Sequence, residues 1–228
     1  MKILIIDNNI DPDCWGSRDL CRLAIQTPGA TVQVRRAPHE DLPKSPETFD
    51  KIIVSGSKTS AMEDAVWIEG LVQFIKRAID LKKPFLGVCY GHQVLNRALG
   101  GKELVRKASE PEFGWTQIRQ LDEPSPLFRN IANSFYSFSA HYDEVSQLPS
   151  GMRKLASSEA CDIQACQLEK LPIFGIQFHP EKNLSEALRI LSVRKKTKDP
   201  KVLLHPNRSE ELYNPKLGEI IFSNFIQA

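Results

Sequence analysis

Cys89 stands in "KKPFLGVCYGHQVLNRALGG", Lys82 to Gly101, with a glycine two residues away on either side. An apolar run turns into a helical pattern at this point. Gly87-Val88-Cys89-Tyr90-Gly91 has the layout of a nucleophile elbow, a sharp strand-to-helix turn that projects its central side chain from a sheet edge. Small residues two before and two after relieve the crowding of such a turn. The helix start adds a partial positive field that stabilises negative charge at the sulfur. The next amide, from Tyr90, can point toward an oxyanion. The plain alternative is a small core cysteine at a tight turn, and GxCxG alone does not decide between them.

A nucleophilic thiol needs a base to take and return a proton. The histidines are at 39, 92, 141, 179 and 205. His39, in "APHEDLP", and His205, in a late polar segment, read as solvated. His92 lies on the helix after Cys89, at a position that normally packs or reaches solvent. His179 differs, because it follows the apolar strand pattern "PIFGIQF" and opens "HPEK". Glu181 leaves the chain on the same side and can accept the other imidazole proton, setting tautomer and orientation. Pro180 stiffens the backbone between them. A surface turn is the bland reading of "HPE", and it weakens once Cys89 is set beside it. His141, in "SAHYDEV", reads as a contact to substrate, a pocket wall or a partner surface.

These groups need a scaffold that brings strand ends together. "KILIID", "TVQVRR", "KIIVSGS" and "FLGVC" read as strands, the apolar ones as buried. A helix is expected near Ser17 to Gln26. Ile68, Leu71, Val72, Ile75 and Ile79 recur at helical spacing and give a second helix one apolar face. "HQVLNRALGG" is a third, stopped by glycines. This alternation predicts an α/β fold: a mostly parallel sheet with helices on both faces. Ligands in such folds bind beyond the carboxyl ends of the strands, where Ser55 to Ser57 and Cys89 fall.

The back half is richer in strands, with "WTQIRQL", "SFYSFSAHYDEV", "KLASS", "IQACQLE" and "IFGIQFHP" as candidates. They imply an antiparallel extension. A helix is expected near Ser185 to Leu191. Residues 194–215 read as an irregular excursion before "KLGEIIFSNFIQA" closes the chain as a helix. No repeat or linker divides residues 1–228, so one domain is expected.

The 228 residues carry 41% hydrophobic and 25% charged side chains, which suits a globular protein. A formal net charge of +2 makes no case for nucleic acid or an anionic membrane. The basic run "RKKTKDPK", Arg194 to Lys201, lacks interleaved aromatics and reads as a solvated loop. No stretch has the length of a membrane span, and the start is too short and polar for a signal peptide. Cysteines at 14, 21, 89, 161 and 166 fit no disulfide scaffold, so reduced thiols in the cytoplasm are the expectation. Cys161 and Cys166 form C-x4-C without nearby histidines, so zinc is not expected there.

The motifs resemble those of the class I, triad-type, glutamine amidotransferase family, over about residues 1–192 and again near 216–228. "GVCYGHQ" matches its nucleophile motif, and "HPE" within "GIQFHPE" its histidine–glutamate pair. "EFGW" and "SAHYDEV" look like segments of the branch related to GMP synthase glutaminase domains. The resemblance implies a flavodoxin-like amidotransferase domain with no metal or organic cofactor. It implies Cys89 as nucleophile, His179 as general base and acid, and Glu181 as its orienting group. Gly56 and Tyr90 N–H groups would form the oxyanion hole, and Gln93 would hold the amino-acid end of the substrate. Losing one such donor costs about 3 kcal/mol in acyl-transfer sites.

Two departures keep alternatives open. The oxyanion loop reads "SGSKTS", Ser55 to Ser60, where the family often has a Gly-Gly-Pro-Gly-like run. Nothing in the chain resembles an "SGGxD" run that could adenylate a nucleotide. The first reading is glutamine hydrolysis to glutamate and ammonia through a Cys89 thioester, with ammonia passing to a synthase partner. The second is a stand-alone γ-glutamyl peptidase or hydrolase of the same chemistry. The third is a non-catalytic binding or regulatory domain.

Overall fold

The computed structural model describes residues 1–121, 123–197 and 203–228. Its strands are β1 (Lys2–Asp7), β2 (Thr31–Arg36), β3 (Lys51–Val54), β4 (Phe85–Val88), β5 (Val105–Gln120), β6 (Ser134–Val145), β7 (Met152–Ser157), β8 (Ala165–Leu168), β9 (Ile173–Ile176) and β10 (Leu203–Leu204). Its α-helices are α1 (Arg18–Ala24), α2 (Val66–Asp80), α3 (Tyr90–Gly100), α4 (Leu184–Thr197), α5 (Ser209–Leu212) and α6 (Pro215–Gln227). The strands form one sheet in the order β10-β5-β7-β8-β9-β4-β3-β1-β2, with β6 paired to β5.

β2, β1, β3, β4 and β9 run parallel. Their apolar residues alternate between two cores, as the two-residue period of a strand requires. Leu4, Ile6, Ile52, Val54 and Phe85 face α2 and α3, whose Leu71, Val72, Ile75, Val94 and Leu95 cover them. Ile3, Ile5, Ile53, Leu86 and Val88 face α1 and α6, with Leu20, Leu23, Ile221, Phe222 and Phe225. β8 joins β9 antiparallel, followed by antiparallel pairs β7–β8, β5–β7 and β5–β6. The sheet is therefore the mixed α/β, flavodoxin-like arrangement that strand–helix alternation implies, with its antiparallel extension.

The described residues of the stretch 194–215, namely 194–197 and 203–215, are more ordered than their composition suggests. α4 runs through the start of the basic run to Thr197, because Arg and Lys are good helix formers and suit a helix C-terminus. Arg194 is not a loop residue: its guanidinium lies over the Phe113 and Tyr142 rings and donates to Tyr142 Oη at 2.8 Å. The rest of that run, 198–201, lies outside the described residues. β10 pairs with β5 at Phe113 and Gly114. Leu212 joins Leu191, Trp115 and Phe138 in a third apolar cluster. Among the described residues, no helix is long and apolar enough to cross a membrane.

Candidate active site

Four parallel strands end on one edge of the sheet. β1 ends at Asp7, β3 leads into Ser55 and Gly56, β4 into Cys89, and β9 into Gln177 and His179. Cys89 sits between β4 and α3 with φ 52° and ψ −102°. A left-handed conformation in a residue with a side chain is strained, and the strain is held by the packing around it. A Cβ on Gly87 would strike the Gly91 carbonyl, and one on Gly91 would strike the Val54 carbonyl. The two glycines let α3 start directly against β3 and β4. Tyr90, first in that helix, has an amide with no intrahelical acceptor.

His179 is 8% exposed and Cys89 5% exposed, so a narrow opening reaches both. The ring hydrogen-bonds the Cys89 side chain on one side. On the other, Nδ1 lies 2.7 Å from Glu181 Oε1. A carboxylate only accepts, so Nδ1 donates and Nε2 is the nitrogen left for the sulfur. Burial pulls the His179 pKa down, but Glu181 and Cys89 outweigh it and push it up to about 10. Burial works to raise the Glu181 carboxyl, yet the His179 charge and hydrogen bond hold it below its ordinary value. α1 braces this turn: Arg22 donates to the Glu181 carbonyl at 3.2 Å, and Lys182 pairs with Asp19 at 3.0 Å.

Gly56 lies against the same pair. A Cβ there would come 3.0 Å from His179 Cε1 and 3.6 Å from Cys89 Cβ. Its loop is pinned to the end of β1, where Asn8 N–H donates to Ser55 Oγ and Ser57 Oγ donates to the Asn8 carbonyl. Further along, the buried Arg97 of α3 donates to the carbonyls of Ala61 and Glu63 at 2.7 and 2.8 Å.

Gln177, which lies in the stretch "GIQFHPE" but is given no role there, donates from Nε2 to Cys89 Sγ at 3.6 Å. Its position between "FGI" and "FHP" is the one hint the sequence carries. Gln93 lies one bond further back. Its Nε2 donates to Gln177 Oε1 at 3.1 Å and to the Asp143 carbonyl at 2.8 Å, so that nitrogen is committed inside the protein. His141 is corrected more strongly. Strand alternation turns it inward, 3% exposed, with Nδ1 at the Asp143 carbonyl and Nε2 at Glu112. Neither ring nitrogen is available to a substrate in this arrangement.

The remaining histidines stay apart. His39 and His205 are exposed. His92 is fully buried against Cys166 Sγ at 3.4 Å, and burial, then His141, lowers its pKa to about 3. A second cysteine–histidine–glutamate grouping, Cys161, His141 and Glu112, lies inside the antiparallel part of the sheet. Cys161 is 0% exposed, and burial followed by Glu112 and Glu144 pushes its thiol pKa up. That is the reverse of what an attacking sulfur needs.

A thiol on a strained strand–helix turn, backed by an imidazole and a carboxylate, defines a cysteine-dependent amidohydrolase. The sequence model of "Glutamine amidotransferase class-I" matches residues 18–193. The chain belongs to that family and carries its glutaminase-type chemistry. A GMP synthase (glutamine-hydrolyzing) subunit of Saccharolobus solfataricus is 39% identical over 155 residues, 67% of this chain and 77% of that protein. The corresponding subunit of Thermococcus kodakarensis is 42% identical over 98 residues, 43% of this chain and 50% of that one. A glutamine amidotransferase structure from Methylobacillus flagellatus superposes with TM-score 0.84 at 23% identity, covering 99% of this chain and 94% of its own. One from Thermotoga maritima gives 0.78 at 20% identity, covering 100% and 99%.

Proposed function

We propose that Cys89, His179 and Glu181 are the catalytic triad, and that the chain hydrolyses the side-chain amide of glutamine and passes ammonia to a synthase partner. The carrying observation is the thiol at φ 52° in hydrogen-bond contact with an imidazole that Glu181 orients. The sulfur attacks the amide carbon after its proton moves to His179 Nε2. The carbonyl oxygen takes the negative charge, facing the N–H groups of Gly56 and Tyr90. Imidazolium then protonates the leaving nitrogen, and ammonia departs from a γ-glutamyl thioester. Water, giving its proton to His179, attacks the thioester carbon. Glutamate leaves and the thiol is restored.

The relatives named as GMP synthase subunits support a partner that consumes ammonia. The loop "SGSKTS" favours a second reading, a self-sufficient γ-glutamyl peptidase, because the acyl group is the same and only the leaving nitrogen differs. Purified protein offered glutamine and γ-glutamyl dipeptides in parallel, with C89A as control, separates the two. Weak glutamate release from free glutamine, abolished in C89A and raised by a partner, supports the glutaminase reading. Fast dipeptide cleavage without a partner replaces it with the peptidase. Activity undiminished in C89A removes the triad assignment itself.

A further inference from the structure

β3 lies between β1 and β4 in the sheet, so the residues that follow it have the end of β1 on one side and Cys89 on the other. The ladder between β1 and β3 runs up to Ser55, whose N–H donates to the Ile6 carbonyl at 3.0 Å. In a regular parallel ladder the next bond runs from the Asn8 N–H to the Ser55 carbonyl. Here the Asn8 N–H donates to Ser55 Oγ at 3.0 Å, and the Asn8 side chain takes the carbonyl, with Nδ2 2.9 Å from the Ser55 oxygen. A carbonyl only accepts, so the nitrogen of the carboxamide faces it.

The consequence falls on the next amide. In a trans peptide the C=O and the N–H point in opposite directions. With the Ser55 carbonyl turned toward Asn8 and β1, the Gly56 N–H is turned toward β4 and Cys89. The following peptide is held as well, because Ser55 Oγ donates to the Gly56 carbonyl at 3.0 Å. Both peptides around Gly56 therefore rest on Asn8, one through its side chain and one through Ser55. The loop needs such a hold. Glycine permits the rotations by which a flanking peptide turns over, and "SGSKTS" has no proline to oppose them. Asn8 can provide it because it is itself fixed. It is 0% exposed, and its carbonyl accepts from Ser57 Oγ at 2.8 Å. The neighbouring Asp7 carboxylate anchors the chain that leaves it, accepting from the Asn9 N–H at 2.8 Å and the Ser17 N–H at 2.9 Å.

We propose that Asn8 is a positioning residue for acyl transfer at Cys89: its carboxamide holds the Ser55–Gly56 peptide with the N–H directed at the oxyanion. This rests on the triad reading above and extends it to a residue on the far side of β3 from the thiol. The bond to the Gly56 N–H gains its full strength only when the substrate carbonyl oxygen carries charge. A misdirected N–H therefore lowers kcat and leaves KM almost unchanged.

The test compares N8A and N8D with wild type in the full chain, using two rates. One is glutamate release from free glutamine and from γ-glutamyl dipeptides. The other is alkylation of Cys89 by iodoacetamide, which forms no oxyanion, with C89A correcting for the other thiols. In N8A the Ser55 carbonyl loses its donor. The expected result is a fall in kcat of about tenfold or more with KM within about twofold of wild type, while Cys89 alkylates at the wild-type rate. In N8D at pH 8 the carboxylate repels the Ser55 carbonyl and attracts the N–H, so kcat falls further. This variant also keeps the side-chain shape, which guards against a misfolded N8A. Unchanged kcat in both variants overturns the proposal. Turnover and alkylation falling together, or failure of both variants to fold, assigns Asn8 to the fold alone and overturns it equally. A wild-type chain that releases no glutamate, or no more than C89A, fails the triad reading itself and takes this proposal with it.

Discussion

His179 Nδ1 and Glu181 Oε1 are 2.7 Å apart, with Pro180 alone between the two residues in the chain. This short link decides which ring nitrogen faces Cys89. In Glu181→Gln the amide can present its N–H₂ to Nδ1, which favours the wrong tautomer. The expected result is a fall in kcat on the order of a hundredfold or more, with KM little changed. Steady-state glutamate release measures it, and an unchanged kcat would remove Glu181 from the triad.

The same pair predicts how stability follows pH. His179 has its pKa raised from 6.5 to about 10 in the folded chain. Its contribution is fully present below pH about 6.5 and is lost as pH rises through about 10. Glu181 is held below its ordinary 4.5, so its contribution is present above that value and lost as pH falls through its folded pKa. The stability gap between wild type and E181Q should therefore be widest near pH 5 to 6 and narrow steadily toward about pH 10. Denaturant unfolding at several pH values measures the gap. A gap that does not vary with pH contradicts this assignment of charges.

Gly56 is constrained by the catalytic pair rather than by its own backbone. In Gly56→Ala the added methyl meets His179 Cε1 at 3.0 Å, close enough to displace the ring. Misplacing a catalytic group by a fraction of an ångström to an ångström costs up to about a hundredfold in rate. The expected outcome is a tenfold or larger loss of kcat with a melting temperature close to wild type. A large loss of stability with normal specific activity in the folded fraction would show that the contact is merely structural.

Gly91→Ala should behave in the opposite way. Its methyl would strike the Val54 carbonyl, which belongs to a central strand and cannot move aside. Overpacking of this kind costs typically 1–3 kcal/mol. At this chain length that is roughly 2–4 °C in melting temperature per kcal/mol. Calorimetry on G91A is expected to show the shift, and an unshifted transition would mean that α3 can retreat from β3.

The parallel strands are legible in the sequence because local chemistry and global fold agree there. The apolar runs "KILIID", "KIIV" and "FLGV" appear as β1, β3 and β4, and the apolar stripe on α2 faces inward as its spacing requires. Strand ends then bring Cys89 and His179 together, although 90 residues separate them in sequence. The first half of β5 is not legible. "VRKASEPE" has no apolar alternation, since Arg106 and Lys107 are exposed and meet β6 through ion pairs to Glu144 and Asp143, and the register with β6 breaks between Lys107 and Glu112. α4 past Leu191 leaves no apolar periodicity because Lys195 and Lys196 lie in water and Arg194 packs through its guanidinium on the Phe113 and Tyr142 rings. His141 looks like a substrate contact in sequence because one strand pattern does not reveal which face its partner strands will bury. Gln177, a glutamine between apolar residues, looks like an ordinary strand position until its amide is seen against the thiol.

Gln177 supplies the last prediction. Its side chain is 0% exposed, and its Nε2 is held by backbone position against Cys89 Sγ at 3.6 Å. Gln93 in turn holds Gln177 Oε1, so the amide cannot flip without losing a bond. A hydrogen bond donated to sulfur fixes its rotamer and stabilises negative charge on it. Gln177→Leu removes the donor while preserving much of the volume. The cost to stability should be about 1–3 kcal/mol, because Gln93 loses a buried partner. The cost to chemistry should appear separately, as slower alkylation of Cys89 by iodoacetamide near neutral pH. C89A labelled in parallel corrects for the other thiols. If the alkylation rate of folded Q177L matches that of the wild type, the amide supports the fold alone and the thiol is governed by His179 without it.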